Sequence, residues 1–281
     1  MAAATIKVFL PSGDAKRLRT AEISNWAGKA VAAPRSEFKE LLGRAELASA
    51  GVYLLTGVNP KTGEPMVYIG EAEVVRDRIK GHTAKDFWNQ AIVFVSKDAN
   101  LTKSHIKYLE GRLIEQAKEI GKTSLDNQQA SGSKLPESDQ ADMEVFLSRV
   151  LQLLPLLGTD ILTPIEKFSG KKKEEATLYC EIKGLKASGA RTPSGFVVYK
   201  GSQAVLTERP SAYNFIIELR QKLQQDSSLV NEGNHLLFSK DVEFSSPSSA
   251  AVVIVGGNAN GLREWKNKAG TMLKDIEEGT L

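Results

Sequence analysis

One stretch, Gly51–Gly70, GVYLLTGVNPKTGEPMVYIG, constrains the fold more than any other. Two runs rich in aliphatic and β-branched residues, Val52–Thr56 and Met66–Ile69, flank a loop carrying Asn59-Pro60 and Thr62-Gly63. Strand-forming runs around such turn residues predict a β-hairpin with a long tip. Strand side chains alternate, so Tyr53 and Leu55 share one face while Val52 and Leu54 share the other. On the partner strand Tyr68 and Met66 share a face against Val67 and Ile69. Two tyrosines near the centre of adjacent strands can therefore project together, either as core residues with polar tips or as part of a site.

Around the hairpin the patterning predicts an α+β chain. Ile6–Leu10 alternates as a strand closed by the turn Pro11–Asp14, and Ala21–Trp26 is a second short strand. Arg35–Ala48 has helical spacing, with Phe38, Leu41 and Leu42 on one face. A charged helix follows the hairpin at Glu73–Gly81, then a third strand at Ala91–Ser96. The clearest helix runs from Thr102 to Ile120, with apolar residues at Ile106, Leu109, Leu113, Ile114, Ala117 and Ile120, Thr102 as N-cap and Gly121 as stop. Residues 127–142 are polar, contain Gly, Ser and Pro, and read as a linker; a leucine-rich helix from Met143 to Leu154 ends at Pro155. A second hinge, Ser169–Glu175, carries the solvated run Lys171–Lys173. The last hundred residues read as a separate small α+β unit, with strands in 177–184 and 195–207, a helix at Ser211–Leu223 and an apolar run, AAVVIVGG, behind a Ser-Pro-Ser N-cap signal. The expected divisions are an N-terminal strand and helix extension at 1–50 packed on a core at 51–129, a linker with a helix at 130–176, and a C-terminal domain at 177–281.

Composition narrows the chemistry by exclusion. The single cysteine, Cys180, rules out an internal disulfide and any multi-cysteine zinc site, and His82, His105 and His235 lie far apart in sequence. No apolar run is long enough to cross a membrane, and the N-terminus has no secretory pattern, so a soluble, cytoplasmic protein is expected. Chemistry then rests on oxygen ligands, tyrosines and arginines. The net charge of +3 is modest, but residues 1–129 carry 19 basic and 15 acidic side chains, so the positive excess sits in the N-terminal half.

Four further residues complete the candidate constellation. Arg78 follows Tyr68 by ten positions on the next helix, with His82 at i+4 on the same helical face. Glu110 lies on or beside the buried stripe of the long helix, where a carboxylate requires a cation partner or a metal, or else sits at the stripe's edge facing water. Glu115 is the more ordinary surface residue. Asn127 follows in SLDNQQ.

Gly51-Val52-Tyr53, Tyr68-Ile69-Gly70, Arg78, Glu110 with Leu113-Ile114, and Asn127 together resemble the GIY-YIG nuclease domain. The resemblance covers about Gly51 to Asn127 and implies a small antiparallel sheet flanked by helices. It also implies hydrolysis of a nucleic-acid phosphodiester, DNA rather than RNA, with one divalent cation, Mg²⁺ or Mn²⁺. Carried over, Glu110 binds the metal, Arg78 holds a phosphate oxygen, Tyr53 orients or deprotonates the attacking water, Tyr68 shapes the site and Asn127 braces it. The family's lysine three residues after the second tyrosine is Glu71 here, which removes a cation able to lower the tyrosine's pKa; His82, matching a histidine of restriction-type members, compensates by taking or relaying a proton. The hairpin tip is a few residues longer than usual, which alters substrate access rather than chemistry. The alternative is a nucleic-acid-binding protein with a weakened or inactive site.

The C-terminal segments Gly195–Val198, Lys200-Gly201-Ser202, Phe244–Ala251, Asn260-Gly261 and Trp265-Lys266 resemble a small uncharacterised domain, DUF4357-type and similar to the RAMA modules associated with DNA methylases. That resemblance implies a role in reading nucleic acid and directing substrate choice. Lys80, Lys103, Asn260, Trp265 and Lys266 are the candidate nucleic-acid contacts, Trp265 either as a stacking surface or as a core residue.

Overall fold

The hairpin forms, inside a larger sheet than expected. The computed structural model describes residues 3–127, 132–164 and 174–279, in two compact units, Met1–Pro164 and Ile165–Leu281. In the first unit β1 (Ile6–Phe9), β2 (Arg19–Ile23), β3 (Gly28–Pro34), β4 (Gly51–Val58), β5 (Pro65–Ala72), β6 (Trp88–Ser96) and β7 (Ser124–Leu125) form one sheet in the order β1-β2-β3-β6-β4-β5-β7. All pairs are antiparallel except β5 with β7. The N-terminal segment is thus part of the same sheet, through β3, rather than an extension packed on it. Sequence reading missed β3 because GKAVAAP is buried on both faces, and such a strand shows no polar alternation.

Helices cover both faces. On one lie α3 (Lys103–Ile120) and α4 (Glu137–Leu153), burying Val52, Leu54, Val67, Ile69, Ile92 and Phe94 beneath Ile106, Leu109, Leu113, Ile114 and Ala117. α3 has the expected ends: Thr102 accepts from the backbone of His105, and Gly121 adopts the left-handed conformation (φ 67°) that closes the last turn at least cost for glycine. α4 corrects the linker expectation. It begins at Glu137, six residues before the expected start, and Met143, Phe146, Leu147, Val150 and Leu153 pack into this core. Pro155 and Leu157 then form a 3₁₀ turn whose Leu157 carbonyl accepts from Arg19 and Gln90, both at 2.6 Å. The polar residues at 137–142 are the exposed first turns of a helix, not a tether. The Lys171–Lys173 run lies outside the described residues.

The other face carries α1 (Phe38–Leu42) and α2 (Val75–Lys80) over Val31, Leu55, Tyr53, Tyr68, Val93 and Val95. The helix expected over Arg35–Ala48 is broken into 3₁₀, α and 3₁₀ turns. Glu37 is buried and accepts from Leu18 N–H at 2.7 Å.

In the second unit β8 (Leu178–Ile182), β9 (Leu185–Thr192), β10 (Gly195–Val198) and β14 (Val242–Phe244) form one sheet, and β11 (Gln203–Val205), β13 (His235–Phe238) and β12 (Leu229–Asn231) another. Helices α5 (Asn214–Gln225), α6 (Pro247–Val255), α7 (Gly261–Glu264) and α8 (Leu273–Glu278) complete it. α6 is apolar all round because it is the centre of the core, and Ser246 caps it in a reciprocal box with Ser249. The whole is α+β with a separate C-terminal domain. Among the described residues no helix is long and apolar enough to cross a membrane.

Candidate active site

The candidate residues meet where both faces of the sheet reach one edge. β7 pairs only with Met66 and Val67 of β5. Past it, Asn127 continues the ladder with its side chain: Oδ1 accepts from Ile69 N–H at 3.1 Å and Nδ2 donates to Ile69 C=O at 2.6 Å. The amide thus imitates one residue of a β-strand, and β5 beyond Ile69 opens to a cleft. Tyr68 and Ala72 reach that cleft from the α2 face, and Glu71 from the α3 face.

Behind the cleft sits a tyrosine–histidine couple. Tyr53 lies opposite Gly70, and Leu55 opposite Tyr68. A Cβ on Gly70 would lie 2.6 Å from both Tyr53 Cζ and its hydroxyl oxygen, and 2.8 Å from a Tyr68 ring carbon. The glycine of the YIG triplet is therefore required by space: its missing side chain is where the Tyr53 ring lies. Gly70→Ala is expected to cost about 1–3 kcal/mol by overpacking and to push Tyr53 off His82, measurable as a lower urea midpoint; wild-type stability would refute the space argument. Tyr53 is wholly enclosed, and its hydroxyl is 2.8 Å from His82 Nε2. Burial pushes the Tyr53 hydroxyl well above the ordinary tyrosine range, the Tyr68 hydroxyl adding to it and the Arg78 charge opposing it. Burial, then the Arg78 and Lys85 charges, lowers His82 to about 4. At neutral pH both partners are therefore uncharged, a protonated phenol and a neutral imidazole sharing one hydrogen bond whose direction follows the imidazole tautomer.

α2 ends at Lys80, so His82 is not on the helix with Arg78 as the i+4 spacing predicted. It lies in the following turn, buried rather than solvated, with its carbonyl accepting from Trp88 Nε1 at 3.1 Å. Its ring packs against that of Tyr68 in a tilted arrangement, centroids 4.4 Å apart and planes at 48°.

The cleft itself, about 520 Å³, is lined by Tyr68, Glu71, Glu73, Arg78, Lys103, Glu110 and Asn127. Tyr68, Arg78, Glu110 and Asn127 are thus brought together from four elements, while Tyr53 and His82 stand behind Tyr68 rather than in the cleft. The exposed Arg78 is held more firmly charged by Tyr53 and Tyr68. Glu110 is buried on α3, as its place in the apolar stripe allows. Among the described residues no three His, Cys, Asp or Glu side chains form a metal cage. Glu110, in a cleft that Glu71 and Glu73 also line, is an oxygen donor that fits a hard cation keeping most of its waters, as Mg²⁺ does.

The other expected contacts fare unevenly. Lys103 lines the cleft, but Lys80 is not among its lining residues and pairs with Asp77 on α2 at 3.2 Å. Trp265 offers no stacking face: it is wholly buried against Phe196 (ring centroids 4.4 Å), and its indole N–H donates to Pro247 C=O at 3.0 Å. Large apolar area and one satisfied polar atom make it a core residue. Asn260 caps α7, accepting from Leu262 N–H at 3.0 Å. Lys266 lines a groove of about 440 Å³ with Tyr179, Lys186 and Lys268, so the exposed aromatic there is Tyr179.

Sequence reading missed Lys85, whose ammonium is 5.2 Å from the centre of the Tyr68 ring and 2.5 Å from Asp126. Asp126 immediately precedes Asn127, and that adjacency was the available signal. Glu115 is a surface residue, paired with Arg112.

The family described as "Domain of unknown function (DUF4357)" matches residues 178–277, which places the C-terminal domain of this chain in that family's likeness. No curated protein and no solved structure matches the chain.

Proposed function

We propose that the first unit is a GIY-YIG-type endonuclease domain, hydrolysing nucleic-acid phosphodiesters with one Mg²⁺ or Mn²⁺, and that the C-terminal domain directs substrate choice. The observation that carries this reading is the convergence of Tyr68, Arg78, Glu110 and Asn127 on one cleft, with the Tyr53–His82 couple directly behind it. DNA is preferred to RNA as substrate by family analogy.

Glu110 is the residue that would hold the cation, whose charge polarises the phosphate and stabilises the leaving oxygen. Arg78 grips a phosphate oxygen with its planar fork and offsets charge that builds in the transition state. Tyr68, the tyrosine that reaches the cleft, orients the attacking water; the proton leaving that water would pass through the Tyr68 and Tyr53 hydroxyls to His82 Nε2, each hydroxyl taking one proton as it gives one up and so staying neutral, and this exchanges the roles the resemblance gave the two tyrosines. The couple is coupled to substrate. In the resting site burial first, and then the Arg78 charge, hold His82 acidic; a phosphate on Arg78 offsets only the second of these, so His82 becomes a somewhat better base as substrate seats. Asn127 fixes the edge of β5 on which Tyr68 stands.

A second reading, a nucleic-acid binder with a weakened site, is favoured by one observation: Glu71 places an additional carboxylate in the cleft. The two separate in a cleavage assay on duplex DNA, single-stranded DNA and RNA with Mg²⁺, Mn²⁺ or EDTA, run beside Glu110→Ala. The nuclease reading expects divalent-dependent cleavage that falls by at least about 100-fold in the variant. Binding without cleavage supports the second reading, and equal cleavage by wild type and variant overturns the site.

A further inference from the structure

The cleft holds an ion pair that the chemistry above does not use. Lys103 Nζ lies 2.8 and 3.0 Å from the two carboxylate oxygens of Glu71 and 4.0 Å from Glu73. Lys103 opens α3, and Glu110 follows it two turns later on the same helical face, so both line the cleft from one helix. Glu71 is fixed on β5 with its side chain 11% exposed, whereas the Lys103 side chain is 43% exposed on a flexible stem. The lysine is the member able to change partners. The cleft's lining carries three carboxylates, Glu71, Glu73 and Glu110, against two cations, Arg78 and Lys103, so an arriving phosphate meets a wall that is acidic by one charge.

We propose that Lys103 is a phosphate-contacting residue of this cleft and that Glu71 is its built-in competitor, so that substrate phosphate replaces the Glu71 carboxylate on the Lys103 ammonium. The inference rests on the nuclease reading and adds to it the residue that sets how tightly the cleft grips nucleic acid. Carboxylate and phosphate oxygens are equivalent acceptors for an ammonium at these distances. A half-exposed pair of this kind is worth about 1 kcal/mol or less, so the exchange is accessible. While paired, Glu71 both occupies the lysine and repels the backbone it would otherwise hold. Glu71 therefore acts as a brake on binding, and Lys103 as the grip that the brake restrains.

The test is fluorescence anisotropy with a labelled DNA duplex and the full chain in EDTA, where cleavage plays no part. Glu71→Gln is expected to bind about threefold more tightly and Lys103→Gln about threefold more weakly. In Lys103→Gln the slope of log K against log salt should be shallower by about 1, one phosphate contact having gone. Lys103→Arg, which keeps the charge, restores both. A merely structural ion pair predicts the same sign for Glu71→Gln and Lys103→Gln, with weaker binding in step with lower thermal stability. Binding weakened or unchanged in Glu71→Gln, or an unaltered salt slope in Lys103→Gln, overturns the proposal while leaving the nuclease reading intact. A wild-type chain that binds no nucleic acid in a salt-dependent way overturns both.

Discussion

Replacing Arg78 by alanine is expected to slow cleavage by about 100- to 1,000-fold while changing thermal stability by no more than about 0.5 kcal/mol. The two effects separate because Arg78 is exposed on α2 and its charge faces the cleft rather than the core. The substitution should also move the proton couple behind the cleft. Burial is the larger cause of the low His82 pKa and remains, but the Arg78 contribution disappears, so His82 rises from about 4 towards its ordinary 6.5. The Tyr53 hydroxyl, which the same charge lowers, rises as well. Linkage gives the sign of the pH dependence. In wild type the unfolded chain protonates His82 near pH 6.5 and the folded chain only near pH 4, so this contribution to stability is present above pH 6.5 and is lost as pH falls to about 4. In Arg78→Ala the window narrows from its acidic end. Proton NMR titration of the imidazole together with single-turnover cleavage tests both halves. Cleavage within tenfold of wild type, or a His82 that titrates no higher than in wild type, would overturn the assigned role of Arg78.

How much of this was legible in the sequence depended on whether the signal was local. The hairpin faces, the α3 stripe with its Thr102 and Gly121 ends, and the cap before Ala250 were readable because alternation, helical spacing and capping act over a few residues. β3 was not, because burial on both faces erases alternation. α4 was not placed because what makes it part of the core is its partner: its apolar face meets the sheet face covered by α3, a contact across the chain that no local window contains. At the candidate site, residue identities were readable and their division of labour was not. Tyr53 and Tyr68 look equivalent in sequence, and only the cross-strand register, which sets Tyr53 over Gly70, buries one and leaves the other at the cleft. The partner of Glu71 lies 32 residues away on α3, so its ion pair with Lys103 leaves no sequence trace. Trp265 shows the opposite failure: an Asn-Gly turn before Trp-Lys looks like an exposed surface, while the indole fills the core.

Arg220→Leu is expected to destabilise the Ile165–Leu281 unit by about 3–5 kcal/mol, because the buried carbonyls it serves lose their donor at about 1–3 kcal/mol each, while Glu208, about one third exposed, turns to water. Arg220 lies on α5 and is wholly enclosed. Its Nε donates to Glu208 at 2.7 Å, one terminal nitrogen to Val205 C=O at 2.6 Å and Leu206 C=O at 3.1 Å, and the other to Val253 C=O. Val253 lies in the last turn of α6, where carbonyls have no partner within the helix and cations are favoured by the helix dipole. One guanidinium therefore joins α5, the end of β11 and the C-terminus of α6, and leucine would leave three carbonyls and a carboxylate without their donor. Arg220→Lys, one nitrogen in place of three, should recover only part of the loss. Trp265 is the tryptophan of this unit, so urea unfolding followed by fluorescence with Trp26 and Trp88 replaced by Phe reports it directly. A midpoint unchanged to within about 1 kcal/mol would mean that water substitutes for the guanidinium, and the network would not be what holds the unit together. The same variant tests the proposed division of labour in the full chain. At urea concentrations that unfold this unit and leave the first one folded, divalent-dependent cleavage should persist while preference among substrates flattens. A preference that survives unfolding of residues 165–281 would place substrate choice in the cleft itself, where Lys103 is the residue proposed to exchange Glu71 for a phosphate.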